Sequence, residues 1–243
     1  MKIAVCQASM YWTIEENVEN IIQWIRKAKK EEADLAVFME CAITGYHRKM
    51  PQTVSSKSLE IAHQKIKTAA MENQIAVIVG TPFIKADSLQ SIFNSAIYFN
   101  PNSKGYKITS KIGLTETELL FFTKGQKREV FKIGDLNIGI VFCREIQDAK
   151  ELIEDYHNTN LNLLLWPSYI KWDSELELGE IDYLEAGCTL SQKLNVPILN
   201  INAANSLNDL SLRGLGASVF VRNGEIVFTL AEDEEELKVV ELH

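Results

Sequence analysis

Three short apolar runs in this chain each stop abruptly on a residue able to do chemistry. Leu35-Ala-Val-Phe-Met39 runs into Glu40, Tyr106-Lys-Ile-Thr-Ser110 into Lys111, and Ile138-Gly-Ile-Val-Phe142 into Cys143. Runs of this length, rich in branched and aromatic residues, read as buried strands. Each is followed or preceded by a segment with helical apolar spacing. That alternation restricts the chain to α/β architectures in which strand ends carry polar groups to a common edge.

The same reading places an opening strand near residues 2–7 and an amphipathic helix over Glu15 to Glu32, with Ile21, Ile22, Trp24, Ile25 and Ala28 on its apolar side. A second helix runs from Lys57 to Asn73 and leads into the strand Ile75 to Val79. Ile92 to Phe99 and Tyr106 to Thr109 form a hairpin around Asn100-Pro-Asn-Ser-Lys-Gly105. The second half repeats this order of elements. Strands at Val130 to Ile133 and Leu136 to Phe142 precede a helix at Glu145 to Tyr156. Then come the strand Leu161 to Trp166, a long helix Ile181 to Leu194 and the strand Val196 to Ile201. A last hairpin, Ala217 to Phe228, turns on Asn223-Gly224, the dipeptide that fits a two-residue turn. Alternating β and α segments with late hairpins predict two sheets covered by helices rather than a barrel of equal βα units. At 243 residues one domain, 1–243, is the expectation.

Charge and composition exclude several functions. A formal net charge of -8 argues against a phosphate-binding surface, so nucleic acid is not an expected partner. The start, Met1-Lys-Ile-Ala-Val-Cys-Gln7, is a strand pattern, no apolar stretch is long enough to span a bilayer, and a cytoplasmic protein without a membrane partner is expected. The four cysteines, Cys6, Cys41, Cys143 and Cys188, lack C-x-x-C spacing and read as free thiols. The four histidines, His47, His63, His157 and His243, are scattered without paired spacing, so a structural or catalytic zinc is not expected. Gly214-Leu-Gly216 precedes a strand instead of opening a helix and lacks the geometry of a pyrophosphate cradle. The run Glu232-Asp-Glu-Glu-Glu236 reads as a solvated turn of repelling carboxylates.

Cys143, standing where a strand gives way to the helical stretch Arg144 to Ile153, is placed at a helix N-terminus, where a nucleophile gains electrostatic help. Alone, such a cysteine is usually a small buried hydrophobe. An ordinary thiol is only a few per cent ionised at neutral pH and needs a base. No histidine stands in a motif for that role, His47 being either a pocket residue or a surface one, so a carboxylate is the better base. Glu40, at the end of an almost wholly apolar strand, requires a cationic partner, and Lys111 is a candidate.

At these residues the chain resembles the nitrilase superfamily, the carbon-nitrogen hydrolases, over nearly its whole length. Phe38-Met-Glu40-Cys-Ala-Ile-Thr-Gly-Tyr46 is similar to the family's F-P-E-L-x-x-T-G-Y block, with Met39 and Cys41 replacing usual residues. Tyr106-Lys-Ile-Thr-Ser-Lys111-Ile-Gly-Leu114 is similar to Y-x-K-x-H-L, with Gly113 in place of the histidine. Glu118 precedes Phe121-Phe-Thr-Lys-Gly125 as the family's second glutamate precedes F-F-x-x-G, with Glu116 as the competing position. Gly139-Ile-Val-Phe-Cys143 resembles G-x-x-I-C, and Leu163-Leu-Leu-Trp-Pro-Ser168 the later strand ending in W-P-S.

The resemblance implies a four-layer α-β-β-α sandwich. It also implies Cys143 as nucleophile, Glu40 as base, Lys111 as oxyanion stabiliser and Glu118 as the residue orienting Lys111 and substrate. The implied substrate is a small aliphatic amide or N-carbamoyl compound, and the implied assembly a homodimer, with Leu237 to Leu242 either in its interface or at a sheet edge. The chain departs from the family after Cys143. Where C-[YFW]-D and then F-P-E are usual it has Cys143-Arg-Glu-Ile-Gln-Asp-Ala-Lys150. Glu145 stands in for the aspartate, and Arg144 either meets an acidic substrate or faces solvent. The departure leaves two alternatives to the hydrolase open, a silent member that binds a metabolite or protein and an acyl or carbamoyl transferase.

Overall fold

The computed structural model describes residues 1–47, 49–85, 91–171, 182–207, 209–211 and 214–242. The first half contains β1 (Lys2–Gln7), α1 (Ile14–Lys30), β2 (Leu35–Val37), the single turn α2 (Met50–Thr53), α3 (Ser56–Glu72), β3 (Ala76–Ile84), β4 (Ile92–Phe99) and β5 (Tyr106–Ser110). The second half contains β6 (Phe131–Ile133), β7 (Leu136–Ile140), α4 (Ala149–Tyr156), β8 (Leu163–Pro167), α5 (Tyr183–Leu194), β9 (Ile198–Ile201), β10 (Val219–Arg222), β11 (Glu225–Thr229) and β12 (Glu236–Glu241).

Two six-stranded sheets result, ordered β12-β1-β2-β3-β4-β5 and β11-β10-β9-β8-β7-β6. In each, three parallel strands form the centre and antiparallel strands flank them: β1, β2 and β3 in one, β7, β8 and β9 in the other. The sheets face each other through one apolar core that includes Val5, Val37, Phe38, Ile97, Phe131, Phe142, Leu165 and Ile201. Helices α1 and α3 cover the first sheet, and α4 and α5 the second, giving the α-β-β-α layering.

Local chemistry explains the elements. Thr13 caps α1 by accepting from the Glu16 N–H, and Val18, Ile21, Trp24, Ile25 and Ala28 are buried against the sheet. The expected apolar face is thus right except for Ile22, which is half-buried while Asn17 takes an inner position by bonding to Tyr11 and Thr13 carbonyls. Ser55 and Ser58 cap α3 reciprocally. The Asn223-Gly224 turn forms as expected, both residues at positive φ, 54° and 81°.

Three expectations change. The strand placed at Ile75 to Val79 continues to Ile84 because β4 pairs with it along its length, from Val77↔Phe99 to Ile84↔Ile92. The helix expected from Glu145 divides into a 3-10 turn, Cys143–Gln147, and then α4. The acidic run is not simply solvated. The Asp233 carboxylate accepts from the Gly214 and Leu215 N–H groups at 3.0 and 3.1 Å, Glu235 from Ser9 at 3.0 Å and Glu236 from Ala231 at 3.1 Å, so these acids pin loops between strands. Leu237 to Leu242 falls mainly on β12, the outermost strand of its sheet, paired antiparallel to β1. The expected helix start Ile181 lies outside the described residues. Among the described residues, no helix is long and apolar enough to cross a membrane.

Candidate active site

Glu40, Lys111 and Cys143 each follow a strand end, after β2, β5 and β7, and the Glu40 and Lys111 charges both act on the Cys143 thiol. Glu40 sits in a tight turn that packs onto β3 at Gly80. A Cβ there would lie 2.2 Å from the Met39 carbonyl oxygen and 2.6 Å from the Cys41 nitrogen. The neighbouring Cys41 adopts φ 51°, a left-handed conformation that costs a non-glycine residue about 1–2 kcal/mol.

Lys111 is the hub. It is 1% exposed, and its Nζ donates to Glu40 Oε1 at 2.9 Å and to Glu118 Oε1 at 2.8 Å. Glu118 is fixed by three further donors, the Thr115 N–H at 2.8 Å to Oε2 and the Tyr46 hydroxyl and Asn94 Nδ2 at 3.0 and 3.5 Å to Oε1. Glu116 is exposed, so the structure brings Glu118 and not Glu116 to the lysine. Asn94, which sequence reasoning passed over, holds the assembly from β4. Its amide Nδ2 donates to Glu40 Oε1 at 2.7 Å, and its backbone carbonyl accepts from the Lys111 N–H at 2.8 Å. The signal was available: an asparagine inside the apolar strand Ile92 to Phe99 must find partners if buried.

Glu40 Oε2 is buried and makes no hydrogen bond. Burial raises the Glu40 carboxyl above its ordinary range, Lys111 opposes this, and the charge on Glu118 reinforces it. For Glu118 burial is outweighed by Lys111 and the other donors, and its carboxyl is held low. Lys111 remains cationic, since two adjacent carboxylates overcome its desolvation. The Glu40 and Glu118 charges oppose that of Lys111 in their action on the cysteine.

Cys143 occupies an elbow with φ 41°, another left-handed non-glycine residue. Its thiol points to the Tyr169 carbonyl, 3.9 Å away, and its own carbonyl accepts from the Trp166 indole at 2.8 Å. Burial first and the Glu40 charge second push the thiol up to about 12, with Lys111 pulling the other way. The expected help from a helix N-terminus is not realised, because α4 begins only at Ala149. The resting group is a thiol.

Glu145 explains both the divided helix and two departures from the family blocks. It is fully buried. Its Oε1 accepts from the Ile112 and Gly113 N–H groups at 2.8 and 2.7 Å, and its Oε2 from the Phe142 N–H at 2.9 Å and Arg128 Nη1 at 3.0 Å. One carboxylate thus ties the segment after Lys111 to the elbow that carries Cys143. A side chain at position 113 would intrude on it, since a Cβ would lie 3.0 Å from Glu145 Cγ and 2.6 Å from Asp148 Oδ2. Gly113 and Glu145 therefore fit as a pair. Arg144 neither faces solvent alone nor lies free for an acidic ligand; it is half-buried and pairs with Asp148.

Beside the cluster lies a cavity of ≈ 440 Å³ whose walls include Tyr46, His47 and Tyr169. His47 is thus a pocket residue. Burial keeps its imidazole below the ordinary range, hence neutral at pH 7. Among the described residues, no group of three or more His, Cys, Asp or Glu is arranged to hold a metal ion.

The family model of carbon-nitrogen hydrolases matches residues 2–243. The chain belongs to the carbon-nitrogen hydrolase family. Among its relatives, an arylacetonitrilase of Arthroderma benhamiae is 29% identical over 152 residues, 57% of this chain and 45% of that protein. The glutamine-dependent NAD(+) synthetase of Acinetobacter baylyi is 24% identical over 250 residues, 97% of this chain and 43% of the other. Nitrilase homolog 2 of Dictyostelium discoideum is 28% identical over 164 residues, 63% of this chain and 49% of the other. The chain thus spans less than half the length of these relatives. An amidase of the nitrilase superfamily from Nesterenkonia AN1 superposes with a TM-score of 0.83 at 19% identity, covering 100% of this chain and 92% of the amidase. That likeness fixes the fold as the nitrilase sandwich.

Proposed function

We propose that this chain hydrolyses a non-peptide carbon–nitrogen bond in a small amide or N-carbamoyl compound through a Cys143 thioester. The observation that carries the reading is the buried Lys111 between Glu40 and Glu118, with Glu40 Oε2 left as a carboxylate oxygen without a partner and the Glu40 charge acting on the Cys143 thiol.

Burial and the Glu40 charge raise the thiol well above its ordinary range, so thiolate is scarce at pH 7 and the proton must be taken up as attack occurs. Glu40 Oε2 takes the proton as Sγ attacks the carbonyl carbon. The Lys111 ammonium and the Arg144 backbone N–H bind the oxyanion, each such donor being worth about 3 kcal/mol. On collapse, the carbon–nitrogen bond breaks and the protonated Glu40 returns its proton to the leaving nitrogen, releasing ammonia or an amine. Water then attacks the thioester with its proton passing to Glu40, the acid leaves, and the thiol is restored. Glu118 holds Lys111 in place throughout. No metal or organic cofactor enters the scheme.

The test is ammonia release from a panel of aliphatic amides, aromatic amides, nitriles, carbamoyl compounds and glutamine, with Cys143→Ser as control. Nitriles and glutamine belong in it because relatives bear nitrilase and glutamine-dependent names. Turnover that depends on Cys143 is expected for at least one amide or carbamoyl compound. Turnover unaffected by Cys143→Ser removes the proposal.

A further inference from the structure

The cavity next to the buried cluster is physically joined to it. Tyr46, in its wall, donates to Glu118 Oε1 at 3.0 Å, and the carbonyl of Tyr169, its stacked neighbour in the same lining, faces the Cys143 thiol at 3.9 Å. A group bonded to a carbonyl held at Cys143 therefore extends alongside this tyrosine pair, which walls the space beyond.

That space is lined mainly by flat, uncharged surfaces. The Tyr46 and Tyr169 rings stack at 5.2 Å with planes 21° apart, and Phe121 and Phe122 present rings 4.8 Å apart at 55°. Met50, a polarizable gap-filler, His47 as a neutral imidazole and the Thr117 side chain complete it. Among the described residues, no Asp, Glu, Lys or Arg lines the cavity. A carboxylate or ammonium entering would lose its hydration and meet no opposite charge among the described lining residues. An aromatic ring would meet faces and edges in the arrangements that ring pairs favour. Size agrees: an apolar cavity of about 150 Å³ already takes one benzene ring, so ≈ 440 Å³ holds a ring and the carbon chain leading to it.

Resting on the hydrolase reading above, we propose that the acyl group accepted at Cys143 is uncharged and carries an aromatic ring, so that the preferred substrates are arylalkyl amides rather than short aliphatic or charged ones. Burying a phenyl group in place of water contact favours binding by roughly a hundredfold.

Two measurements test this. The first is kcat/KM for ammonia release from phenylacetamide, acetamide, succinamate and L-glutamine. Phenylacetamide is expected to exceed acetamide by about a hundredfold and both charged amides by more, and Phe121→Ala should narrow the phenylacetamide-to-acetamide ratio about tenfold. Acetamide, succinamate or glutamine equalling phenylacetamide overturns the proposal. The second is calorimetric binding of phenylacetamide and acetamide to Cys143→Ala, which needs no turnover. If no amide is hydrolysed, the hydrolase reading fails, yet tighter binding of phenylacetamide still upholds the assignment of the pocket. Equal binding, or no binding of phenylacetamide, overturns it.

Discussion

Replacing Glu145 by Gln probes the link between the lysine and cysteine halves of the site. The Glu145 carboxylate accepts from three backbone N–H groups and from Arg128, all at 2.7–3.0 Å. In Glu145→Gln one oxygen becomes an NH2 group. In the gentler orientation it faces the Phe142 N–H and Arg128, donors against a donor, while the Ile112 and Gly113 bonds survive. Arg128 keeps Asp155, 3.0 Å from its Nε, but loses its buried partner. Breaking a buried ion pair costs about 3–5 kcal/mol. At about 2–4 °C per kcal/mol for a chain of this size, the melting temperature should fall by about 6–20 °C. The elbow would also be released from the Lys111 segment, and a displacement of about 1 Å is worth about a hundredfold in rate. Scanning calorimetry, with kcat/KM measured at a temperature where both proteins are folded, reads the two effects, and the exposed Glu116→Gln serves as control. A melting temperature within about 2 °C of the parent together with kcat/KM within about twofold would refute the clamp.

Two further outcomes follow from the electrostatics. Because burial raises the Glu40 carboxyl and activity needs it ionised, kcat/KM should fall as pH drops through a midpoint above the ordinary glutamate value of about 4.3, with no alkaline loss from the thiol below about 12; an acid limb at or below about 4.3, or thiol titration near about 8.5, counts against the assignment. Asn94→Leu removes a hydrogen bond that holds the Glu40 pKa down, so the acid limb should move to higher pH and kcat/KM should drop about tenfold or more, since a bond to a charged group contributes about 1.5–3 kcal/mol. An unchanged pH profile would make Asn94 structural only.

The strand ends bearing Glu40, Lys111 and Cys143 were legible because a polar residue closing an apolar run is a local event, and the Asn223-Gly224 hairpin because its turn chemistry is local too. Asn94 and Glu145 were harder, since what they do depends on backbone amides far away in sequence. The Phe142 contact of Glu145 is three residues off, but those to Ile112 and Gly113 cross from one sheet to the other. The divided helix after Cys143 has the same origin: helical spacing in Glu145 to Tyr156 is real, yet a carboxylate held by a neighbouring strand end outweighs propensity in its first turn. The acidic run misled for a related reason, because repulsion among exposed carboxylates is easily outweighed when single members find buried N–H groups. The cavity was beyond reach. Tyr46, Phe121 and Tyr169 are unremarkable singly and acquire meaning only once three loops meet.

The central claim is that Cys143 forms a covalent acyl intermediate with Glu40 as its base. Intact-protein mass spectrometry after mixing with a slowly hydrolysed amide tests it directly. The account predicts a mass increase equal to the acyl group in the parent chain and none in Cys143→Ala. An adduct that persists in Cys143→Ala, carried by another residue, would contradict it.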